Sequence, residues 1–212
     1  NRLEAAAHEL ETYLAARPQD AARHEQAARI CRELGRNEAA LGHYDRAIAL
    51  GRGSSELQAA RARTLAALER WEEASALLEQ LAAAEPTNAE FRFELGLMRL
   101  RQAEHQAAVR AFAEAVRLRP DFVEAYTSLA LALQLAGDCP GALRALDQRA
   151  AHAAENTGTY FLRAICHDRL RQLDAAIDNY ERFLAATTDR ESTQAFQARA
   201  RLQLLKRQRP RR

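Results

Sequence analysis

LRPDFVEAYTSLALALQLAGD, residues 118–138, holds a proline break and then a helix-length apolar run that closes on Gly137-Asp138. Leucines and aromatics crowd the run, yet the small Ala130 stands at its middle. Laying the chain against itself at an offset of 34 residues shows why. Ala6, Ala40, Ala74, Ala108, Ala142 and Ala176 recur at that interval, and four residues after each stands a large side chain: Leu10, Tyr44, Leu78, Phe112, Leu146 and Tyr180. In the same register Ala28, Ala62, Gly96, Ala130, Ala164 and Ala198 are all small, and Pro18, Pro86 and Pro120 share one place. Ala130 thus marks where the first helix of a pair comes closest to the second. Ala142 faces it from that second helix, and Leu146 fills the space alongside.

Composition supports a helical reading. The chain has 212 residues, 48% of them hydrophobic, without an apolar run of membrane-spanning length, so a soluble folded protein is expected. Ala, Leu, Arg, Glu and Gln lose little side-chain freedom in a helix, and β-branched residues are too few to build a sheet. The 31 basic and 29 acidic residues are interspersed, and a net charge of +2 gives no overall pull toward nucleic acid or an anionic membrane. Lys206 is the only lysine, a skew that with the alanine richness fits GC-rich codons. Cys31, Cys139 and Cys166 are too few and too far apart for a disulfide framework and form no C-x-x-C, so they are expected as reduced, buried thiols. The chain shows no signal peptide and does not begin with Met, so an upstream segment is expected. The compartment, bacterial-type cytoplasm or periplasm, stays open.

Each 34-residue unit holds two helical patterns around a short polar turn, as at Gly35-Arg36-Asn37 and Ala136-Gly137-Asp138. The unit resembles the tetratricopeptide repeat, whose signature has small residues at its eighth and twentieth places, a bulky one at its twenty-fourth and proline at its thirty-second. Residues 89–122 fit best, with Leu95-Gly96, Ala108, Phe112, Ala115 and Pro120. Full repeats are expected at 21–54, 55–88, 89–122, 123–156 and 157–190. Residues 1–20 match the second helix of a truncated repeat, 191–206 a C-terminal capping helix, and 207–212 a basic tail. Thr87-x-x-Glu90 and Thr188-x-x-Glu191 have capping-box spacing at expected helix starts. Departures from the signature are Arg99, Arg149, Arg163 and His167 at usually apolar places, and Arg52, Ala154 and Thr188 where proline would stand. The resemblance implies an all-α, right-handed superhelical solenoid of antiparallel helix pairs, with about twelve helices.

No enzymatic signature survives inspection. His24-Glu25 opens an H-E-x-x-H search, but residue 28 is alanine, so the second zinc ligand is missing. Cys166 and His167 are adjacent in sequence and so point about 100° apart on a helix, which separates a nucleophile from its base. Gly51-Arg52-Gly53-Ser54-Ser55 lacks the Gly-Lys-Ser/Thr ending of a phosphate loop and reads as a turn whose serine caps the next helix. His8, His43 and His152 fall at solvated places, and His105 and His167 at partly buried ones. Trp71 reads as core. The segment Lys206–Arg212 carries five positive charges and reads as a solvated terminus.

The resemblance implies a non-catalytic scaffold without cofactor or metal, whose first helices line a concave groove that receives a peptide or helix of a partner protein. The competing readings are a helical-repeat nucleic-acid binder and the non-catalytic region of a larger enzyme. By analogy with the family, the groove places hold Arg29, Arg32, Arg63, Arg101, Arg169 and Arg199 against Glu25, Glu33, Glu56, Glu90, Glu94, Glu124 and Asp168. That balance disfavours RNA, which demands a basic surface. Chaperone-tail carboxylate clamping is not expected either: the ninth places hold Arg29, Arg63, Leu97, Leu131 and Ile165 where that subfamily has asparagine, and no second place is basic. Phe93, Leu97, Leu100, Leu131, Leu135, Phe161 and Ile165 form a regional apolar stripe at groove places, rimmed by Glu90, Glu94, Glu124, Arg101 and Arg169. The stripe reads either as packing between first helices or as a shallow patch that seats a partner's hydrophobic anchors.

Overall fold

The computed structural model describes residues 2–208, and among these it holds twelve α-helices and no strand. The helices are α1 (Arg2–Ala16), α2 (Ala21–Glu33), α3 (Asn37–Ala49), α4 (Ser55–Ala67), α5 (Trp71–Ala84), α6 (Ala89–Arg101), α7 (His105–Leu118), α8 (Val123–Leu135), α9 (Cys139–Ala150), α10 (Thr157–Arg169), α11 (Leu173–Ala186) and α12 (Thr193–Gln208). The chain is an all-α helical repeat of the solenoid class. It divides into two compact units, residues 1–102 and 103–212.

Within each unit a helix packs chiefly on its neighbours in the chain: α1 through α6 in the first, α7 through α12 in the second, where α8 also touches α10. The repeated small and large places explain this packing. Ala28, Ala62, Gly96, Ala130, Ala164 and Ala198 are buried, as are Ala40, Ala74, Ala108, Ala142 and Ala176; Ala6, on the first helix, is half-buried. Leu10, Tyr44, Leu78, Phe112, Leu146 and Tyr180 are buried too. Small residues let helix backbones approach, and the large ones fill the space left beside them at the density of a protein interior.

The turns inside the helix pairs are three residues long and end the first helix in a common way. The middle residue is left-handed in all five: Gly35 (φ 74°), Glu69 (φ 59°), Ala103 (φ 58°), Gly137 (φ 89°) and Arg171 (φ 59°). The amide after it reaches back five residues, as in Arg36 N to Cys31 O (2.8 Å), Arg70 N to Leu65 O (3.0 Å), Asp138 N to Leu133 O (2.8 Å) and Gln172 N to His167 O (2.9 Å). This Schellman arrangement satisfies the last carbonyls of each first helix.

The polar residues at usually apolar places bring their own partners. Buried Arg149 donates Nε to Thr127 Oγ1 (3.0 Å) and Nη1 to Ala154 O (2.9 Å). Arg163 bridges Asp147 (2.7 Å) and Glu155 (2.8 Å), Arg99 pairs with Glu79, and His167 Nδ1 meets Gln172 Oε1 at 2.6 Å. Each polar group is therefore bonded where it is covered.

Helix starts differ in detail from the expected capping boxes. Asn88, not Thr87, caps α6, accepting from Glu90 N (3.1 Å) and Phe91 N (3.4 Å). Thr188 does not open α12. Asp189 and Ser192 close a turn first, Ser192 Oγ accepts from Ala195 N (3.3 Å), and the helix runs two residues later than the expected 191–206. In both places a later capping side chain wins, Asn88 one residue on and Ser192 four, because its oxygen lies opposite the free amides. Ser54 caps α4 as read, through Leu57 N at 3.2 Å. Phe196 and Leu204 stand exposed on α12. Of the basic tail, Lys206 pairs with Glu181 (2.6 Å), and residues 209–212 lie outside the described residues.

Candidate functional site

The stripe residues fall into three situations. Leu131 and Leu135, one turn apart on α8, are 37% and 44% exposed. Phe93, Leu97 and Leu100 on α6, and Ile165 on α10, are half-buried. Phe161 departs from the patch reading. Its ring lies 4.8 Å from that of Phe183 and 6.4 Å from that of Tyr180, packed on the core of α10, α11 and α12, because its place on α10 faces the second helix of its own pair.

The rim residues are likewise uneven. Glu90 and Glu124 are exposed. Arg101 is exposed and sits over the Trp71 ring, 5.7 Å from its centre, so Trp71 is a half-buried platform at the start of α5 rather than core. Arg169 donates Nη1 to the Gln134 carbonyl at 2.9 Å. Glu94 is recessed. Its Oε1 accepts from Arg63 Nε of α4 at 2.7 Å, its Oε2 is covered and has no partner among the described residues, and burial, opposed by Arg63, pushes its carboxyl above the usual range.

Glu94 illustrates a pattern that the residue tally hides. The carboxylates of Glu25, Glu94 and Asp168 have side chains only 15%, 15% and 12% exposed, whereas Arg29, Arg63 and Arg201, which pair with them, are 64%, 47% and 44% exposed. Glu25 takes Arg29 at 2.5 Å and Arg52 at 2.7 Å. The acids lie low between helices and the arginines arch over them, so these first helices turn guanidinium groups outward. Short acidic side chains cannot climb past neighbours that long arginines span. Counting charges by place had given an even mixture.

Two further clusters went unread in the sequence. His24, whose sequence pattern lacks the second zinc ligand, is buried, and its Nδ1 lies 3.0 Å from Nδ1 of His43, which is half-buried where the sequence places it in solvent. His24 Nε2 is 3.1 Å from Pro18 O. A carbonyl only accepts, so Nε2 carries the proton, and the bare Nδ1 accepts from His43 Nδ1–H. Cys31, Cys139 and Cys166 are buried free thiols. Burial, with the Cys139 thiol beside it, pushes the Cys166 thiol up to about 12, which makes it a poor nucleophile. No group of three or more His, Cys, Asp or Glu side chains that could hold a metal ion occurs among the described residues. No helix among them is long and apolar enough to cross a membrane.

Comparisons with known proteins agree with this architecture. The tetratricopeptide-repeat family model matches residues 1–55, 59–121 and 99–157. No curated protein matches the chain by sequence. Among solved structures, PilF of Pseudomonas aeruginosa is similar with a TM-score of 0.76 at 19% identity, over 94% of this chain and 90% of that one. PilW, described as a widely conserved type IV pilus biogenesis factor, gives 0.75 at 19% identity over 92% and 90%. YrrB, described as a TPR protein with an unusual peptide-binding site, gives 0.72 at 16% identity over 92% and 99%.

Proposed function

Since the chain belongs to the tetratricopeptide-repeat family, we propose that it is a non-catalytic scaffold that holds a partner protein by a peptide or helix laid against the first helices of its repeats. The observation that carries this reading is the exposed Leu131–Leu135 pair on α8. Two leucines spaced i, i+4 and open to solvent offer a ridge for apolar anchors, and their burial is the gain available to a partner. In the other unit the half-buried Phe93, Leu97 and Leu100 on α6 offer a second, shallower apolar surface beside Arg63 and Glu94. The outward guanidinium groups of Arg29 and Arg63 there favour acidic residues flanking the anchors. YrrB's description as a peptide binder is consistent with this mode. Repeat scaffolds of this family act generally by holding partners.

The test is partner capture from native extract with the unaltered protein and with a Leu131→Glu, Leu135→Glu variant. The variant should lose the captured bands by about tenfold or more while keeping its helical circular dichroism, because both side chains are solvated in the free protein. Undiminished capture by the folded variant would remove α8 from the site. Unfolding of the variant would make the pair core.

A further inference from the structure

The second unit contains an open cavity of about 460 Å³ lined by Asp168, Arg169, Arg171, Leu173, Arg201 and Gln208. Three separate pieces of backbone build it. Asp168 and Arg169 close α10, Arg171 is the left-handed residue of the following turn, and Arg201 and Gln208 lie seven residues apart on α12. The Leu131–Leu135 pair that carries the scaffold reading is not part of its lining, although Arg169 belongs to the rim of the stripe and Asp168 to the groove places.

What distinguishes the cavity is its charge. Three arginines and one aspartate line it. Asp168 is spent on Arg201, whose Nε and Nη2 reach its two oxygens at 2.5 and 2.8 Å. Arg169 is held, but by neutral acceptors: Gln134 O at 2.9 Å and, with the Gln134 amide oxygen turned toward it, that oxygen at 3.0 and 3.1 Å. These bonds fix the guanidinium without cancelling its charge. Arg171 has no acidic partner among the described residues. Among the described residues two positive charges therefore remain without an acidic partner around one space, and the cost of keeping them together falls when an anion enters.

We infer that this cavity binds a doubly charged tetrahedral oxyanion, a phosphate or the phosphate group of a monoester. A dianion balances the two free charges, whereas a monocarboxylate leaves one. Donors arriving from a helix end, a turn and a second helix suit an oxyanion with several oxygens pointing apart, while a planar carboxylate is matched by a single arginine fork. Gln208 is the neutral polar residue of the lining, and Leu173 its apolar one. Among the described residues no aromatic ring lines the space to stack a nucleobase, so the recognised part is the phosphate itself.

Isothermal titration of the full chain at pH 7.5 and low salt, with inorganic phosphate, phosphoserine and acetate in turn, tests this. Phosphate should bind saturably at one site, and acetate at least about tenfold more weakly. Binding should weaken at pH 5.5, where phosphate loses its second charge. Arg171→Gln changes an exposed turn residue, and Arg169→Gln one whose partners are neutral; each should weaken phosphate about tenfold or more with circular dichroism unchanged. Phosphoserine binding as tightly as phosphate identifies a monoester as the natural source, and phosphate alone binding identifies the free ion. Absence of saturable phosphate binding, equal binding of acetate, or indifference to both substitutions would overturn the inference. Failure of partner capture by the α8 variant leaves this result untouched, so the two readings stand or fall separately.

Discussion

His24 and His43 show how much one pair of side chains can make a repeat depend on pH. Burial first, and His24 second, lower the affinity of His43 for a proton below its ordinary value near 6.5. The folded state then binds that proton less readily than the unfolded chain does. Its stability is complete above pH 6.5, falls as the pH drops through that value, and levels off below the folded-state value. One proton limits the slope to about 1.4 kcal/mol per pH unit, and partial exposure makes it shallower. Urea unfolding followed between pH 7.5 and 5 should show this loss, and His43→Gln should flatten it. An unchanged slope in the variant would remove His43 as its source. The pair was illegible in the sequence because 19 residues separate its members, a spacing that belongs neither to one helix face nor to the 34-residue repeat. The arginines arching over Glu25, Glu94 and Asp168 escaped notice for a similar reason. Places on a repeat report which way a side chain sets out, and length decides which charge ends nearer the solvent.

Helices and their turns were far more legible, since recurring small and large residues impose the same close approach in every pair. What blurred was local competition. Thr87 and Asn88 are both good caps, and only the backbone path selects Asn88. Phe161 and Leu131 share a stripe by periodicity, yet rings on the second helix of its pair draw Phe161 inward while Leu131 stays exposed. The left-handed turn residue gives a prediction at this scale. Glu69 occupies with a side chain the conformation that glycine holds at Gly35 and Gly137. An L residue there costs about 1–2 kcal/mol, and glycine returns about 0.5–1 kcal/mol of that through the greater freedom of the unfolded chain. Glu69→Gly should therefore stabilise by roughly 0.5–1 kcal/mol, and Gly35→Ala should destabilise by about the same amount. Paired denaturation curves measure both. A loss of stability in Glu69→Gly would show that its side chain contributes more than its backbone conformation costs.

Across the molecule, two compact units share one repeat plan, and within each a helix leans mainly on its neighbours in the chain. Damage should stay local. Leu146 is fully buried on α9, and Leu146→Ala should cost about 2–5 kcal/mol through the cavity it leaves. Hydrogen exchange should then quicken first in α8, α9 and α10 and leave α2 to α4 near their former rates. Equal acceleration throughout would mean a single cooperative block. Neighbour-only packing also bears on how the protein comes into being at the ribosome. A helix pair finds most of its contacts within the residues just translated, so little loop closure has to wait for distant sequence. Each pair can settle against the one made before it while the next is still being threaded out. The apolar faces that a growing chain would otherwise present to chaperones or to other nascent chains are then uncovered only about one repeat at a time.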